Sequence, residues 1–287
     1  MEVGDLNVSN QDPKLTEAVD RTANWRTSLL AHSLLAGPIR NPRLWITLGW
    51  LEVIQSYRRS FLGPMWITAN MAIFSIAMTL VYGAIFGIPS KTYSAYIISG
   101  MIGWLWVSAL LVDVGNTFIT NATYIKALPF DKAQLIWGTA FRQVIVLGHN
   151  LLVYAAAVLL GLIDLNFYTL LFIPSVMLFF CMTIPLIALL SILFARYRDL
   201  PRLVSSIIIV VMLLTPVFWT PSLVSGWRAA FYLLNPFYYL IQFLRRPLLG
   251  EPPDILITAV FLVFVVVVWV LGMTFYKRYE RYVAFWI

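Results

Sequence analysis

Long apolar runs alternate with short polar segments along most of this chain, and six of the runs contain no Asp, Glu, Lys or Arg. A run of about 17 to 25 such residues can cross the hydrocarbon core of a bilayer as a helix. The predicted spans lie at about residues 64–86, 93–112, 143–163, 170–194, 203–219 and 255–275. The pattern therefore predicts an all-α, polytopic membrane protein with six transmembrane helices, in a domain of residues 63–276.

Residues 41–62, just before the first span, show a different pattern. Apolar side chains recur there at spacings of three and four, which places them on one helical face. They are Leu44, Leu48, Leu51, Ile54, Tyr57 and Phe61. The other face carries polar residues, including Glu52 and Arg59. We expect an amphipathic helix lying in the membrane interface, preceded by a cytoplasmic segment of residues 1–40. Packing on a soluble partner is an alternative that does not exclude this placement.

The segment of about residues 227–246 does not fit a seventh span. It is uncharged between Arg228 and Arg245, but Asn235-Pro236 interrupts it, and a proline breaks the interior of a helix. A seventh span would also place the tail of residues 277–287 outside. The segment therefore predicts a re-entrant helical hairpin on the outer face, which requires surrounding protein or a water-filled cavity.

Lysine and arginine set the predicted orientation. Sixteen of the 20 fall on one side of a six-span arrangement, and the other four are Lys91, Arg228, Arg245 and Arg246. Cytoplasmic loops of membrane proteins are enriched in these two residue types. We therefore expect both termini in the cytoplasm.

Composition agrees with the membrane class. Of the 287 residues, 61% are hydrophobic and 11% are charged, whereas a soluble domain carries about 25% charged residues. The formal net charge of +7 is explained by cytoplasmic loops, so we expect no nucleic-acid partner. The single cysteine, Cys181, excludes an intrachain disulfide.

Several kinds of chemistry have no counterpart in the sequence. The chain has no Gly-x-x-x-x-Gly-Lys-Ser/Thr loop for ATP phosphates. Its two histidines, His32 and His149, are too scattered for a histidine-based metal site. Asp113 lies at the inner end of the second span, and we expect it to be structural because a proton relay needs several ionisable groups. We therefore predict no catalytic residue and no metal site.

Aromatic residues are abundant, with 19 Phe, 14 Tyr and 11 Trp. Many are expected in the belts that line membrane interfaces. Trp104 and Trp106, together with the aromatic residues of 231–243, cluster toward the outer half of the predicted bundle. Aromatic faces stack on sugar rings, so contact with a carbohydrate is compatible with these clusters.

Five short motifs together resemble one family. They are YRRSFLGPMW at 57–66, KALPF at 126–130, ARYRD at 195–199, LTPVFW at 214–219, and LNPF at 234–237 followed by Arg245-Arg246 and Leu249-Gly250. Their order and topological positions are similar to those of the membrane subunits of type 2 ABC exporters, in the polysaccharide and O-antigen branch. The resemblance covers roughly residues 44–281. Upstream of Tyr57 the family often has more basic residues than this chain, which has Glu52 and Gln55.

The resemblance implies a half-transporter of the bacterial cytoplasmic (inner) membrane. Two copies would form a homodimer around a channel, and two ATP-binding cassette subunits would dock below it. ATP and Mg would bind those partner subunits, with no cofactor in this chain. The implied cargo is a polysaccharide, such as a lipopolysaccharide O-antigen, on a polyprenyl diphosphate carried in the membrane lipids.

We also predict roles for individual residues. Arg58 or Arg59 would recognise the lipid diphosphate, because an arginine binds phosphate oxygens with two parallel hydrogen bonds; on a helix the two would point about 100° apart. Docking of the ATPase subunit would use Tyr124, Leu128 and Phe130. The channel gate and sugar contact would use Trp104, Trp106, Tyr232, Phe237, Tyr238 and Tyr239. Contacts to phosphate or headgroups at the outer face would use Arg245 and Arg246.

Three other interpretations stay open at this point. The cargo could be teichoic acid or a small hydrophobic molecule. The chain could instead be a membrane-embedded acyltransferase or glycosyltransferase, although no acid–base pair or carboxylate cluster supports this. A passive ion channel would need a repeated polar ring, which we do not find.

Overall fold

The computed structural model describes residues 34–127 and 131–287, and within these residues the regular elements are all helical. We label the α-helices in chain order: α1 Ala36–Arg40, α2 Pro42–Ser56, α3 Met65–Phe86, α4 Ser90–Val112, α5 Thr117–Thr120, α6 Ala122–Ala127, α7 Ala133–Leu159, α8 Phe172–Arg196, α9 Leu200–Leu214, α10 Ala230–Leu233, α11 Pro236–Leu248, α12 Ile255–Tyr279 and α13 Val283–Trp286. Short 3₁₀ turns join several of them. The all-α polytopic fold class is confirmed.

Five helices are long and apolar enough to cross a membrane within the described residues: α3, α4, α7, α8 and α12. The shorter apolar helix α9 has 15 residues, which corresponds to about 22 Å. The predicted span at 203–219 is thus helical only to Leu214. Thr215 takes an extended conformation, because the proline that follows it disfavours helical backbone at the preceding residue.

The third span also differs from its predicted bounds. Helix α7 begins at Ala133 and ends at Leu159, whereas the uncharged run begins at residue 143. Ten residues of helix therefore precede the apolar run and carry Arg142 into the bundle. The absence of charge marks the part of a helix that suits lipid, and it does not mark where the helix starts.

Small residues allow the helices to pack closely, as is common in membrane bundles. Gly49 of α2 lies directly on α7, because a Cβ there would stand 2.3 Å from the carbonyl oxygen of Gly138. Gly272 of α12 lies equally close to α8, where the nearest atom to an added Cβ would be the Pro185 carbonyl oxygen at 2.3 Å. Neither position has room for a side chain.

Contacts between helix ends fall into two layers. The first layer contains the Lys91–Asp164 ion pair at 3.5 Å and the hydrogen bond from Asn166 to the Gly250 carbonyl at 2.7 Å. The second contains the Lys132–Glu280 and Arg198–Trp286 contacts. The long helices run between these layers in alternation, as the predicted topology requires.

The segment predicted as one helix over 41–62 is helical only over Pro42–Ser56. Gly49 and Val53 are buried toward α7, while Leu51 and Ile54 of the predicted apolar face are exposed. Tyr57 and the two residues after it form a turn. The helix therefore ends before it reaches the adjacent arginines.

Candidate functional site

An apolar cavity of about 670 Å³ lies between the end of α2 and helices α3, α4, α7 and α9. Its lining is mostly apolar and includes Met71, Phe74, Met101, Trp104, Leu105 and Met212. The cavity is therefore suited to hydrocarbon. We call it the apolar cavity.

A second cavity of about 590 Å³ adjoins it. This polar cavity is lined by hydroxyl, amide and charged side chains, among them Glu52, Gln55, Asn116, Thr120 and Asn121. Three residues line both cavities: Ser56, Asp113 and Arg142. The apolar cavity and the polar cavity thus meet at these three side chains.

Arg142 is the cation at this junction. It projects from α7, and its Nε lies 3.4 Å from a carboxylate oxygen of Glu52 on α2. Burial raises the pKa of Glu52, and the charge of Arg142 opposes that rise. About a quarter of the Arg142 side chain stays exposed. The pair therefore joins α2 to α7 while the guanidinium still borders both cavities.

Two amides on α7 extend the polar side of this junction. Gln143 and Asn150 are buried and line the apolar cavity. They are seven residues apart, so they share one face of the helix. Within the described chain, Oδ1 of Asn150 has no hydrogen-bond partner, although buried polar atoms are usually paired. An acceptor is thus left available at the cavity wall.

The two tryptophans predicted to contact sugar take different places. Trp104 lines the apolar cavity. Trp106 is buried and packs against Phe179, with ring centroids 4.9 Å apart. It lines neither of these two cavities. The spacing of two residues explains the separation, because it turns the side chains about 200° apart on α4.

The predicted hairpin contains two helices, α10 and α11, which meet at Asn235-Pro236. The side chain of Asn235 accepts a hydrogen bond from the Phe237 backbone amide at 2.9 Å, and Pro236 occupies the first helical position, where its missing amide hydrogen costs nothing. Asn235 also donates to the Thr215 hydroxyl at 2.8 Å. The break is therefore a helix cap that ties α11 to the end of α9.

Aromatic rings of the hairpin form a continuous cluster. Tyr238 contacts both Tyr232 and Tyr239, with centroid distances of 5.1 and 5.2 Å, and Tyr232 contacts Trp219 at 5.9 Å. Phe237 is half-buried against the core. The structure thus brings together three of the four hairpin residues proposed for the gate, and their gating role stays a prediction.

Arg245 is fully buried. Its guanidinium donates to the carbonyl oxygens of Pro216 at 2.7 Å and Val217 at 3.0 Å and lies 4.0 Å from the ring centroid of Tyr96. The predicted contact of Arg245 with headgroups is therefore wrong, since no headgroup reaches this position. Backbone that is non-helical at membrane depth needs hydrogen-bond partners within the protein, and Arg245 supplies them.

Arg246, the next residue, points to the surface. It pairs with Glu251 at 3.3 Å and donates to the Pro252 carbonyl. Its side chain is about one quarter exposed. Its predicted headgroup contact stays a prediction.

The remaining predicted residues lie outside both cavities. Arg58 and Arg59 are exposed in the turn after α2, and Arg59 has a φ of 66°. The helical separation of 100° predicted for them therefore does not apply. Tyr124 on α6 is 54% exposed. The other two docking residues, Leu128 and Phe130, lie outside the described residues.

Comparison with known proteins decides the family. Residues 43–249 match the family model described as "ABC-2 type transporter", which is more than half of the chain. The chain belongs to the ABC-2 type transporter family. Membership identifies it as a multi-pass membrane permease and implies partnership with ATP-binding cassette subunits.

Two curated relatives are similar over 197 residues. Both are O-antigen export system permease proteins, RfbA, from Klebsiella pneumoniae, with 24% and 23% identity to this chain. Each match covers 64% of this chain and 72% of the relative. The resemblance to the O-antigen branch of ABC-2 permeases is confirmed.

Sequence reasoning did not find the junction of the two cavities. The sequence pattern predicts only a cytoplasmic charge at Arg142, because this residue precedes the uncharged run. The signal that was present is a polar stripe on one helical face, formed by Gln143 and Asn150 seven residues apart. Glu52 was assigned to a polar helix face, whereas it is the partner of Arg142.

Proposed function

We propose that this chain is the channel-forming subunit of an ATP-driven exporter that moves a lipid-linked, O-antigen-like polysaccharide across the bacterial inner membrane. The observation that carries the proposal is the junction of an apolar and a polar cavity at Arg142. The relatives named as O-antigen export permeases support the same cargo class.

The two compartments match the two halves of a lipid-linked glycan. The apolar cavity would take the first part of a polyprenyl chain, and the rest would stay in the bilayer. The polar cavity offers hydroxyl and amide groups to the first sugars. Between them, Arg142 would contact the diphosphate, because a guanidinium binds phosphate oxygens with paired hydrogen bonds.

The turn that carries Arg58 and Arg59 adjoins this junction. Tyr57, the residue before them, lines the apolar cavity. The two exposed arginines would therefore meet the diphosphate before it reaches Arg142. Their recognition role, proposed from the sequence, is compatible with this position.

The assembly would contain two copies of this chain and two ATPase subunits, which bind ATP and Mg. Helix α9 offers a surface for contact with the second copy, because none of its residues is buried within one chain. Leu203, Ile207 and Leu213 are exposed along it. The exposed Tyr124 on α6 supports docking of an ATPase subunit on the cytoplasmic side, with both termini of this chain on that side.

Export of teichoic acid is the second candidate, because it shares the lipid diphosphate. The polar cavity disfavours it, since Glu52 and Asp113 both line the space and carboxylates repel a polymer that carries phosphate along its length. A neutral glycan meets no such repulsion. A membrane-embedded transferase has less support, because within the described residues no cluster of acidic, histidine or cysteine side chains could hold a metal ion.

Substitution of Arg142 tests the proposed cargo. We expect Arg142→Gln to reduce export of the polymer by about tenfold or more, since a hydrogen bond to a charged group contributes about 1.5–3 kcal/mol. Arg142→Lys should fall between this variant and wild type, because it keeps the charge without the paired donors. Surface polymer in cells and co-purification of the ATPase subunit are measured together.

The control is Arg43→Gln, which removes an exposed arginine that lines neither cavity. It should export normally. Normal export by Arg142→Gln would contradict the proposal. Loss of the complex in Arg142→Gln, restored by adding Glu52→Gln, would show that Arg142 acts only by pairing with Glu52.

A further inference from the structure

A third cavity, of about 720 Å³, lies between the C-terminal ends of α8 and α12 and the residues that follow α12. It shares no lining residue with the apolar and polar cavities. We call it the arginine pocket.

The pocket has an apolar floor and a cationic rim. Ile192, Leu193 and Phe275 belong to the last apolar turns of the two helices and line its floor. Arg196, the last residue of α8, and the two cations Arg278 and Arg281 line its rim. No acidic side chain is among the lining residues.

Aromatic rings fix the positions of the arginines. Cζ of Arg196 lies 5.3 Å from the ring centroid of Trp286. Cζ of Arg281 lies 4.7 Å from the ring of Tyr282. A guanidinium that stacks on a ring keeps its N–H donors directed outward in its plane. The donors therefore stay available to an anion.

No carboxylate in residues 34–127 and 131–287 forms an ion pair with these three arginines. The neighbouring acid, Glu280, is engaged with Lys132. Positive charge on the rim is thus not neutralised by that part of the chain, and a nearby anion would be attracted strongly.

The C-terminal segment that closes the pocket is held in place. Arg198 donates to the backbone carbonyl of Trp286 at 2.7 Å, and the ring of Trp286 stacks on Tyr282 with centroids 6.0 Å apart. The pocket is consequently a formed feature of the fold that lies where two membrane helices end.

We propose that the arginine pocket binds the headgroup of an anionic phospholipid in the cytoplasmic leaflet. The distribution of lysine and arginine places the ends of α8 and α12 at that leaflet, whose surface is negatively charged. Phosphate oxygens of the headgroup meet the arginines, and the acyl chains lie along the apolar floor. A zwitterionic lipid has no net charge, because its ammonium group offsets its phosphate, so the same rim attracts it less.

The test uses the purified full chain in detergent with added dioleoyl phosphatidylglycerol, dioleoyl phosphatidylcholine or inorganic phosphate. Retained lipid is counted by native mass spectrometry, and the thermal midpoint is followed against lipid concentration. We expect phosphatidylglycerol to bind and to raise the midpoint, and the other two probes to leave it unchanged.

Charge-removing variants locate the site. Each basic residue near an anionic membrane surface contributes about 1 kcal/mol, so Arg278→Gln and Arg281→Gln should each weaken phosphatidylglycerol binding about fivefold, and the double variant about 30-fold. Arg281→Lys should keep the preference for the anionic lipid. Arg202→Gln, an exposed arginine elsewhere on the same side, is the matched control and should bind like wild type.

Three results would overturn the proposal. The first is equal phosphatidylglycerol binding by the double variant and the control. The second is an equal response to inorganic phosphate, which indicates a site for a free anion. The third is unchanged lipid binding with loss of ATPase co-purification in the double variant, which assigns the arginines to a protein partner.

Discussion

The position of Asp131, which precedes α7, disfavours the charged form of its carboxyl group. One oxygen accepts a hydrogen bond from the Ala133 backbone amide at 2.9 Å. The other has no hydrogen-bond partner in the described chain and faces Gly37, where an added Cβ would stand 1.8 Å away. Burial raises the pKa of Asp131 to about 6, and the bond from Ala133 opposes this rise.

This raised pKa predicts a pH dependence of stability. The folded chain holds the proton more tightly than the unfolded chain, whose carboxyl has a pKa of 3.8. The stabilisation is therefore complete below about pH 4 and is lost as the pH rises through about 6. We expect the stability of Asp131→Asn relative to wild type to increase by about 2 kcal/mol between pH 4.5 and pH 7.5.

Thermal unfolding in detergent between pH 4.5 and 7.5 measures this difference. Asp199→Asn, which changes an exposed acid on the same side of the bundle, should unfold in parallel with wild type at every pH. A constant offset between Asp131→Asn and wild type over this range would contradict the prediction.

At the scale of the helices, apolar runs located the cores of α3, α4, α8 and α12 and the break between α10 and α11. They did not locate the start of α7 or the end of α9. Continuation of a helix beyond the lipid depends on contacts such as Glu52 with Arg142, which join residues 90 positions apart. The hydrophobic pattern of a short segment contains no information about such long-range contacts. For the same reason, the buried position of Arg245 could not be predicted from the sequence.

Alanine substitutions at two glycines are expected to affect stability differently, because only Gly49 lies in the contact between α2 and α7. Gly49→Ala should destabilise the chain by about 1–3 kcal/mol, because the added Cβ would stand 2.3 Å from the Gly138 carbonyl oxygen and the helices must separate. Gly148→Ala on α7 should be neutral or stabilising, since no atom lies within 4 Å of the added group and alanine favours helix.

Hydrogen exchange of residues 42–56 distinguishes a local from a global effect. Faster exchange there in Gly49→Ala, with little change in α12, is the expected result. Equal exchange and equal thermal midpoints for the two variants would show that α2 does not depend on this close approach.

At the scale of the whole molecule, helix ends form two layers, and the distribution of positive charge predicts which of them faces the cytoplasm. The assignment predicts the labelling of single cysteines in a Cys181→Ser background. Lys91→Cys should react with an impermeant maleimide in right-side-out vesicles. Arg202→Cys should react only after the membrane is opened. The reverse pattern would invert the topology and place the arginine pocket at the outer leaflet.

Helix α9 is attached to the rest of the chain much more firmly at one end than along its length. Residues 215–218 are buried, and Tyr93 and Arg245 donate hydrogen bonds to their carbonyl groups. None of the 15 helical residues before them is buried. Thr215, with its extended backbone, is therefore the point about which α9 can tilt. Because the helix is about 22 Å long, a tilt of about 10° displaces its other end by about 4 Å. A tilt of α9 about Thr215 would therefore displace most strongly the end that residues 197–199 join to α8.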